Sequence, residues 1–236
     1  MESRVEIKFR KERFGPELDM VNNFLEHNKN LFFEQELEFT SLTEPYAEAG
    51  IPDILLIFWD KNLCKNWHPK RNELTRTDIK ILHHISNYNR KGIKIDKLYR
   101  DLNFDEKTFK KSFYRLSEAN LIVIDSIRVS INDLDKIFFI RKIISIEAKI
   151  SNWKSAFHQA QLNENFSSHS YVLLPAEKMS NDILSYCTGN TGLLIQDGLK
   201  SILKKKAKKN QIPGSYFSWI LNEYLGRQCD TIFSLK

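Results

Sequence analysis

Two apolar runs in the chain have the side-chain alternation of buried strands and carry charged residues near one end. The run over 50–58, Gly-Ile-Pro-Asp-Ile-Leu-Leu-Ile-Phe, places Asp53 at the start of a strand. The run over 143–149, Ile-Ile-Ser-Ile-Glu-Ala-Lys, places Glu147 and Lys149 on one face of a strand and apolar residues on the other. Charged side chains on a buried strand cost free energy unless a site uses them. The pattern therefore predicts a site built from Asp53, Glu147 and Lys149.

The residues around these two runs predict further elements of the same domain. Apolar residues at helical spacing predict a helix over 17–25, which begins after Gly15-Pro16. Alternation over 31–39 predicts a half-exposed strand with three glutamates on its wet face, of which Glu36 could approach a bound metal. Residues 170–175, Ser-Tyr-Val-Leu-Leu-Pro, predict another core strand.

Two segments in the last part of the sequence leave alternatives open. Residues 200–209 contain six lysines and are interpreted as the exposed end of a helix, with a clamp on DNA phosphates as the alternative. Residues 215–226 predict a final helix with an apolar stripe and Trp219 beside it. That helix packs either in the core or against a second copy of the chain, so a homodimer is one expectation.

Residues 73–132 have a different pattern, with short helices in place of long apolar runs. Helix starts are predicted near Thr75, Ile95 and Asp105, where Asp105 is a plausible N-cap, and two strands follow over 121–131. Three helices and a hairpin are the layout of a winged helix-turn-helix. We expect this insert to interrupt a discontinuous domain formed by residues 1–60 and 134–236, because insertion is tolerated where chain ends meet at the surface.

The third helix of the insert has an apolar stripe and a basic face opposite it. In a winged helix, this element reads the major groove of double-stranded DNA, and the wing reaches a neighbouring groove. The basic face and the wing offer five candidates for contacts with DNA: Lys107, Lys110, Lys111, Tyr114 and Arg128. The alternative is that these lysines are a solvated helix face and that the insert contacts protein.

Composition and charge agree with a nucleic-acid partner. The 236 residues include 36 Lys and Arg against 30 Asp and Glu, a net charge of +6 that favours a polyanion. Cys64, Cys187 and Cys229 form no Cys-x-x-Cys pair, which is typical of reduced thiols in the cytoplasm. The sequence has no apolar run of membrane-spanning length and no signal-peptide pattern at its start, so we expect a cytoplasmic protein without a membrane partner.

The combination of Pro52-Asp53 with Glu147-x-Lys149 resembles the PD-(D/E)XK nuclease superfamily. Trp153 and Gln159, which follow at the spacing of a helix in many of these nucleases, and the strand over 170–175 strengthen the resemblance. It covers roughly residues 14–60 and 138–225. It implies an α/β fold of the α+β type, with a restriction-endonuclease-like mixed sheet flanked by helices.

The resemblance also implies a role for each site residue. Asp53 and Glu147 would be metal ligands, with the carbonyl of Ala148 as a third, and hard oxygen ligands suit Mg²⁺, with Mn²⁺ as an alternative. Lys149 would act on the attacking water or on the phosphate. Gln159 would hydrogen-bond water or phosphate, or is an ordinary exposed residue. Glu17 would complete the metal site, or is a favourable acid at a helix N-terminus.

These observations predict a metal-dependent DNA endonuclease that hydrolyses phosphodiester bonds. The alternative is a DNA-binding or regulatory protein that uses a catalytically silent nuclease-like scaffold, and a partner-binding structural protein is a third hypothesis. Convergence of Asp53, Glu147 and Lys149 in the fold discriminates between the enzyme and a degenerate core.

Overall fold

The computed structural model describes residues 4–11, 14–48, 50–88, 91–187 and 189–228. The helices in chain order are α1 (Pro16–His27), α2 (Arg76–Ser86), α3 (Ile95–Leu102), α4 (Glu106–Glu118), α5 (Leu134–Ile137), α6 (Trp153–Asn163), α7 (Asn181–Tyr186) and α8 (Tyr216–Gly226). The strands are β1 (Leu37–Thr43), β2 (Ile54–Asp60), β3 (Ile93–Lys94), β4 (Ile122–Asp125), β5 (Arg128–Ile131), β6 (Ile140–Ala148), β7 (His169–Pro175), β8 (Gly192–Asp197) and β9 (Lys200–Lys205).

The described residues divide into two compact units. The sheet unit consists of residues 8–61 and 140–214, and the helical unit consists of residues 4–7, 62–139 and 215–228. None of the described helices combines the length and the apolar composition that a membrane crossing requires.

The sheet unit is built on a six-stranded mixed sheet in the order β1-β2-β6-β7-β8-β9. The pairs β6–β7 and β7–β8 are parallel, and the remaining neighbours are antiparallel. Strands β2, β6, β7 and β8 are almost wholly buried because they occupy the middle of the sheet, which is why their sequences read as continuous apolar runs.

Helices cover both faces of this sheet, as the sequence predicts. On one face, Met20, Val21 and Phe24 of α1 pack with the side chains of Ile144 and Ile146 from β6. On the other face, α6 and α7 pack against β7 and β8. The alternation in β6 therefore places Ile144, Ile146 and Ala148 on one face and Ser145 and Glu147 on the other. The expectation of a mixed sheet flanked by helices is confirmed.

The helical unit contains the predicted three helices and hairpin between residues 75 and 131. Thr75 and Asp78 form a capping box at the start of α2, and the Asp105 side chain accepts from the Thr108 N–H as the predicted cap of α4. Strands β4 and β5 pair antiparallel, and β3 adds to the other side of β5. Arg115 of α4 donates to both carboxylate oxygens of Asp78 over 2.8 Å, which ties α4 to α2.

The last helix belongs to the helical unit, whereas the sequence interpretation placed it with the sheet. Arg71 is buried beneath the Trp67 ring and pairs with Glu223 of α8 over 2.5 Å. Trp219 is 0% exposed and packs edge-to-face on Phe138, with ring centroids 5.2 Å apart, so its role is core packing. An apolar stripe shows that a helix is buried, but it does not show which partner buries it.

Two other local predictions are wrong. Residues 29–32 form a short 3₁₀ helix, and β1 begins only at Leu37, so the strand predicted over 31–39 starts later than expected. Lys200–Lys205 is the edge strand β9, which follows β8 through a turn at Gly198 in the left-handed region (φ 56°), and is not a helix end. Lysines are frequent on edge strands because charge discourages pairing with another sheet.

One of the three cysteines can be described in the fold. Cys187 is buried with a free thiol, as expected for reduced cysteines. Cys229 lies outside the described residues.

Candidate active site

The pairing of β2 with β6 brings Asp53 and Glu147 to the same end of the sheet. Ile54 pairs with Ile146 in an antiparallel register, so Asp53 and Glu147 occupy the next position along the two strands. Asp53 Oδ2 accepts a hydrogen bond of 2.8 Å from the backbone N–H of Ala148. This bond fixes one carboxylate of the predicted site against the strand that carries the other.

Both carboxyl groups are buried, and their surroundings resist two negative charges. Asp53 is 9% exposed and Glu147 is 2% exposed. Burial, and after it the charge of Asp53, raises the pKa of Glu147 to about 8. Burial also raises the pKa of Asp53, and the nearby Lys149 opposes that effect. A site of this kind gains free energy when a cation binds between the carboxylates.

Lys149 follows directly after β6 and reaches two carboxylates with its amine. Its Nζ lies 3.2 Å from Glu17 Oε2 and 3.9 Å from Asp53 Oδ2. Glu17 is in the first turn of α1, and its Oε1 accepts from the backbone N–H of Ile150 over 3.4 Å. Glu17 therefore lies at the predicted site, where it pairs with Lys149 and holds the amine toward Asp53.

An open cavity of about 390 Å³ lies beside these groups. Gln159 is exposed on α6 and lines this cavity, while Ala156, Phe157 and Ala160 form the buried face of the helix as predicted. The polar residues that line the cavity are Arg10, Glu17, Asn22, Thr43, Glu44, Asp53, Lys149 and Gln159. The fold thus brings Asp53, Glu147, Lys149, Glu17 and Gln159 to one region of the sheet unit.

Three polar residues of this region were missed in the sequence. Asn163 donates from Nδ2 to Glu147 Oε1 over 2.6 Å. It follows Ala156 and Ala160 on the buried face of α6, so a polar residue on an apolar stripe was the available signal. Arg10 and Glu44 contact each other at the edge of the cavity, and no short-range pattern connects them.

The carboxylates at this site suit a hard divalent cation that also takes ligands from water and substrate. Within the described ranges, no group of three or more His, Cys, Asp or Glu side chains is arranged to hold a metal. Asp53 and Glu147 supply two carboxylates, and Mg²⁺ is commonly held by one or two carboxylates with waters and substrate phosphate. Glu36 directly precedes Leu37, which pairs with Asp60 at the far end of β2 from Asp53. Glu36 therefore does not approach the site.

The residues that were predicted to contact DNA lie in the helical unit. They differ in the contacts that their charged groups already make within the protein. Lys107, Lys110, Lys111 and Tyr114 are exposed on α4, and Lys110 pairs with Glu106 over 2.5 Å. Arg128 donates from Nε to the carbonyl of Lys91 over 3.0 Å and from Nη2 to that of Gly92 over 2.7 Å. Its guanidinium therefore joins the hairpin to the chain before β3.

The chain matches no protein-family model, no curated protein and no solved structure in comparisons with each. Inferences about its function therefore depend on the geometry of the site.

Proposed function

We propose that this protein is a metal-dependent DNA endonuclease that hydrolyses phosphodiester bonds at the site of Asp53, Glu147 and Lys149. The observation that carries the proposal is the convergence of these residues. Two buried carboxyl groups occupy neighbouring positions on adjacent strands, and the Lys149 amine lies 3.9 Å from one of them beside an open cavity. A purely structural role gives no reason to bury two acids whose charges oppose each other.

The sheet supports the same class of enzyme. Pro52-Asp53 leads into β2 and Glu147-x-Lys149 ends β6, and these strands are neighbours in a mixed sheet covered by helices on both faces. This is the arrangement expected of a restriction-endonuclease-like core.

Asp53 and Glu147 are the residues that would hold Mg²⁺ or Mn²⁺. The bound cation would supply charge neutralisation at the phosphate and a more acidic water for the attack. The Ala148 N–H orients the Asp53 carboxylate, and the Asn163 amide orients Glu147. Lys149 would stabilise negative charge on the phosphate or orient the attacking water, and Glu17 keeps its amine in place. Gln159, exposed at the cavity, is available to hydrogen-bond substrate or water.

The helical unit would provide binding to double-stranded DNA. Helices α2, α3 and α4 with the sheet β3-β5-β4 have the order of a winged helix, and α4 would be the reading helix. The side chains of Lys107, Lys110, Lys111 and Tyr114 are exposed on α4 and suit phosphate and base contacts. Arg128 is less suited, because its guanidinium already donates to two backbone carbonyls.

The proposal is tested by incubating supercoiled plasmid and linear duplex with the purified protein in Mg²⁺, in Mn²⁺ and in EDTA. We expect nicked or linear product with either cation, none in EDTA and none from Glu147→Ala. Glu36→Ala removes an exposed carboxylate of the same unit away from the site and should cut like the wild type. A wild type that cuts no form of DNA with either cation would favour the silent scaffold that binds DNA without cleaving it.

A further inference from the structure

The cavity beside Asp53 contains a second cationic side chain that the proposed reaction does not use. Arg10 lines the cavity, and its Nη2 contacts Glu44 Oε1. The same nitrogen lies 3.8 Å from Asp53 Oδ1, whereas the Lys149 amine lies 3.9 Å from Asp53 Oδ2. The carboxylate of Asp53 is thus flanked by a cation at each oxygen.

Backbone pairing delivers Arg10 to this position. The N–H of Arg10 donates to the carbonyl of Glu44 over 3.0 Å, and the N–H of Tyr46 donates to the carbonyl of Lys8 over 2.9 Å. Glu44 in turn donates its N–H to the carbonyl of Asp53 over 3.2 Å. The backbone of Glu44 therefore connects the segment that carries Arg10 to the residue that begins the metal site.

Glu44 adopts a conformation that favours glycine. Its φ of 48° lies in the left-handed region, which costs a residue with a side chain free energy. Residues held in such conformations are frequent at functional sites, where the surrounding contacts fix them. Here the conformation accompanies two backbone hydrogen bonds, and the Glu44 carboxylate contacts the Arg10 guanidinium. Arg10 is consequently held in one orientation before any ligand binds.

Arg10 lines the cavity, and its guanidinium has more donors than its recorded partners use. Its Nε is buried and has no hydrogen-bond partner among the described residues. A guanidinium has five N–H donors in a planar fork, which matches two oxygens of a phosphate better than an ammonium does. An ion pair with Asp53 or Glu44 does not require the paired donors of a guanidinium, whereas a phosphodiester accepts hydrogen bonds from both of them.

The charges of the cavity oppose a phosphate until a metal is present. Glu17, Glu44 and Asp53 face Arg10 and Lys149 there, so carboxylates outnumber cations by one. A divalent cation held by Asp53 and a deprotonated Glu147 would balance these charges and remove the repulsion of an anion. Arg10 lies beside Oδ1 of Asp53 and Lys149 beside Oδ2, so each offers a donor on a different side of that carboxylate.

We propose that Arg10 binds a non-bridging oxygen of a DNA phosphate in this cavity and that Glu44 is its positioning residue. This inference rests on the proposed nuclease function, which supplies the substrate. Arg10 contacts the substrate directly, while Glu44 acts only through the orientation of the guanidinium.

The test compares Arg10→Met, Arg10→Lys and Glu44→Gln with Lys11→Met, which removes an exposed neighbouring cation that does not line the cavity. Cleavage of a short duplex in Mg²⁺ gives kcat and KM, and titration at several salt concentrations with Ca²⁺, which also takes oxygen ligands, in place of Mg²⁺ gives the salt slope of DNA binding. Arg10→Met should lower kcat/KM by roughly 10²-fold. It should also lower the salt slope by about one unit. Arg10→Lys should keep the salt slope and recover only part of kcat/KM, because an ammonium lacks the fork.

Glu44→Gln should change KM more than kcat and leave the salt slope at its wild-type value, since it disturbs the orientation of Arg10 and not its charge. Lys11→Met should leave kcat/KM at its wild-type value. The proposal is overturned if Arg10→Met retains the wild-type kcat/KM and salt slope, or if Arg10→Lys restores kcat/KM completely. If Arg10→Met does not fold, the Arg10→Lys result decides alone. A wild type that never cuts refutes the nuclease, whereas the salt slopes still report whether Arg10 contacts phosphate.

Discussion

Asn163 donates a hydrogen bond from its Nδ2 to Oε1 of Glu147 over 2.6 Å, and both side chains are buried. The backbone carbonyl of Asn163 accepts from the hydroxyl of Ser167, which also fixes the end of α6. The hydrogen bond from Asn163 lowers the pKa of Glu147, against the burial and the Asp53 charge that raise it. Asn163 therefore helps Glu147 to release its proton, which Glu147 must do to hold the proposed metal.

Removal of the Asn163 amide should shift the pH dependence of cleavage. In Asn163→Ala the Glu147 carboxylate loses a donor, so its pKa rises further above about 8. We expect cleavage at neutral pH to fall roughly tenfold, because a hydrogen bond to a charged group is worth about 1.5–3 kcal/mol. The loss should diminish as the pH is raised. The measurement is kcat/KM in Mg²⁺ over the pH range on both sides of neutrality.

Asn165→Ala is the matched control for this prediction, since Asn165 is an exposed asparagine two residues further along. It should keep the wild-type profile. An Asn163→Ala variant whose profile has the wild-type shape, with a uniform loss at every pH, would show that Asn163 does not act through the proton of Glu147.

The raised pKa of Glu147 also predicts a pH-dependent stability that needs no enzymatic activity to measure. The folded protein holds this proton up to about pH 8, whereas the unfolded chain releases it near the ordinary value of 4.5. The contribution of Glu147 to the free energy of unfolding therefore decreases as pH rises between these values. Glu147→Gln removes the titration and keeps an acceptor oxygen for Asn163. Its thermal midpoint in EDTA should exceed that of the wild type by roughly 10 °C at alkaline pH.

Below the unfolded pKa of Glu147 the difference between Glu147→Gln and the wild type should vanish, because both side chains are then neutral in both states. Thermal unfolding across the acidic to alkaline range in EDTA measures this convergence. Glu36→Gln, an exposed site, should follow the wild type throughout. Curves for Glu147→Gln and the wild type that stay parallel would contradict the burial of an ionisable acid at this position.

The elements that the sequence predicts well are those whose pattern is local. The capping residues Thr75 and Asp105 begin α2 and α4 as expected, and the runs over β2 and β6 are strands. The lysine-rich Lys200–Lys205 was misjudged because a charged edge strand and a charged helix end have the same composition. The segment against which α8 packs could not be predicted from a local pattern either, since the Arg71–Glu223 ion pair joins residues far apart in the chain.

The residues of the candidate site also fall into two groups, those that a local pattern predicts and those whose position depends on the fold. Asp53, Glu147 and Lys149 were predicted because each lies at the end of a recognisable strand, and the antiparallel register of β2 with β6 brings the strand ends together. Arg10 was not predicted because its position depends on pairing between residues 8–10 and 44–46. That pairing follows from the fold of the sheet unit and leaves no periodicity in a short, mixed-charge segment.

The exposed lysines of α4 and Arg128 of the β4–β5 hairpin should behave differently when they are removed. The triple variant Lys107→Ala, Lys110→Ala, Lys111→Ala should weaken DNA binding and lower its salt slope by about one unit for each phosphate that a lysine no longer neutralises. Arg128→Ala should instead lower the thermal midpoint, because Arg128 donates to the carbonyls of Lys91 and Gly92. Salt-dependent binding and thermal unfolding of both variants provide the measurement. A triple variant with an unchanged slope would indicate that α4 contacts protein rather than DNA.

The most discriminating prediction concerns two substitutions that remove opposite charges from one site. Lys149→Ala deletes the amine beside Asp53, and Glu147→Ala deletes the buried acid two residues earlier, at the end of β6. For a nuclease, both should lower Mg²⁺-dependent cleavage by at least about 10²-fold, since each removes a group that acts on the reacting phosphate or its metal. For a silent scaffold, both would act only through stability.

The affinity for DNA in the absence of metal should change in opposite directions in the two variants. Lys149→Ala should bind more weakly than the wild type, because it removes a cation that faces phosphate in the proposed complex. Glu147→Ala should bind more tightly, and the gain should be small at neutral pH and grow above about pH 8, where the wild-type carboxyl becomes charged. Fluorescence anisotropy in EDTA on both sides of that pH, with thermal midpoints from the same preparations, measures this difference. Cleavage that persists in Glu147→Ala would refute this site, and equal affinities of both variants at every pH would place the phosphate elsewhere.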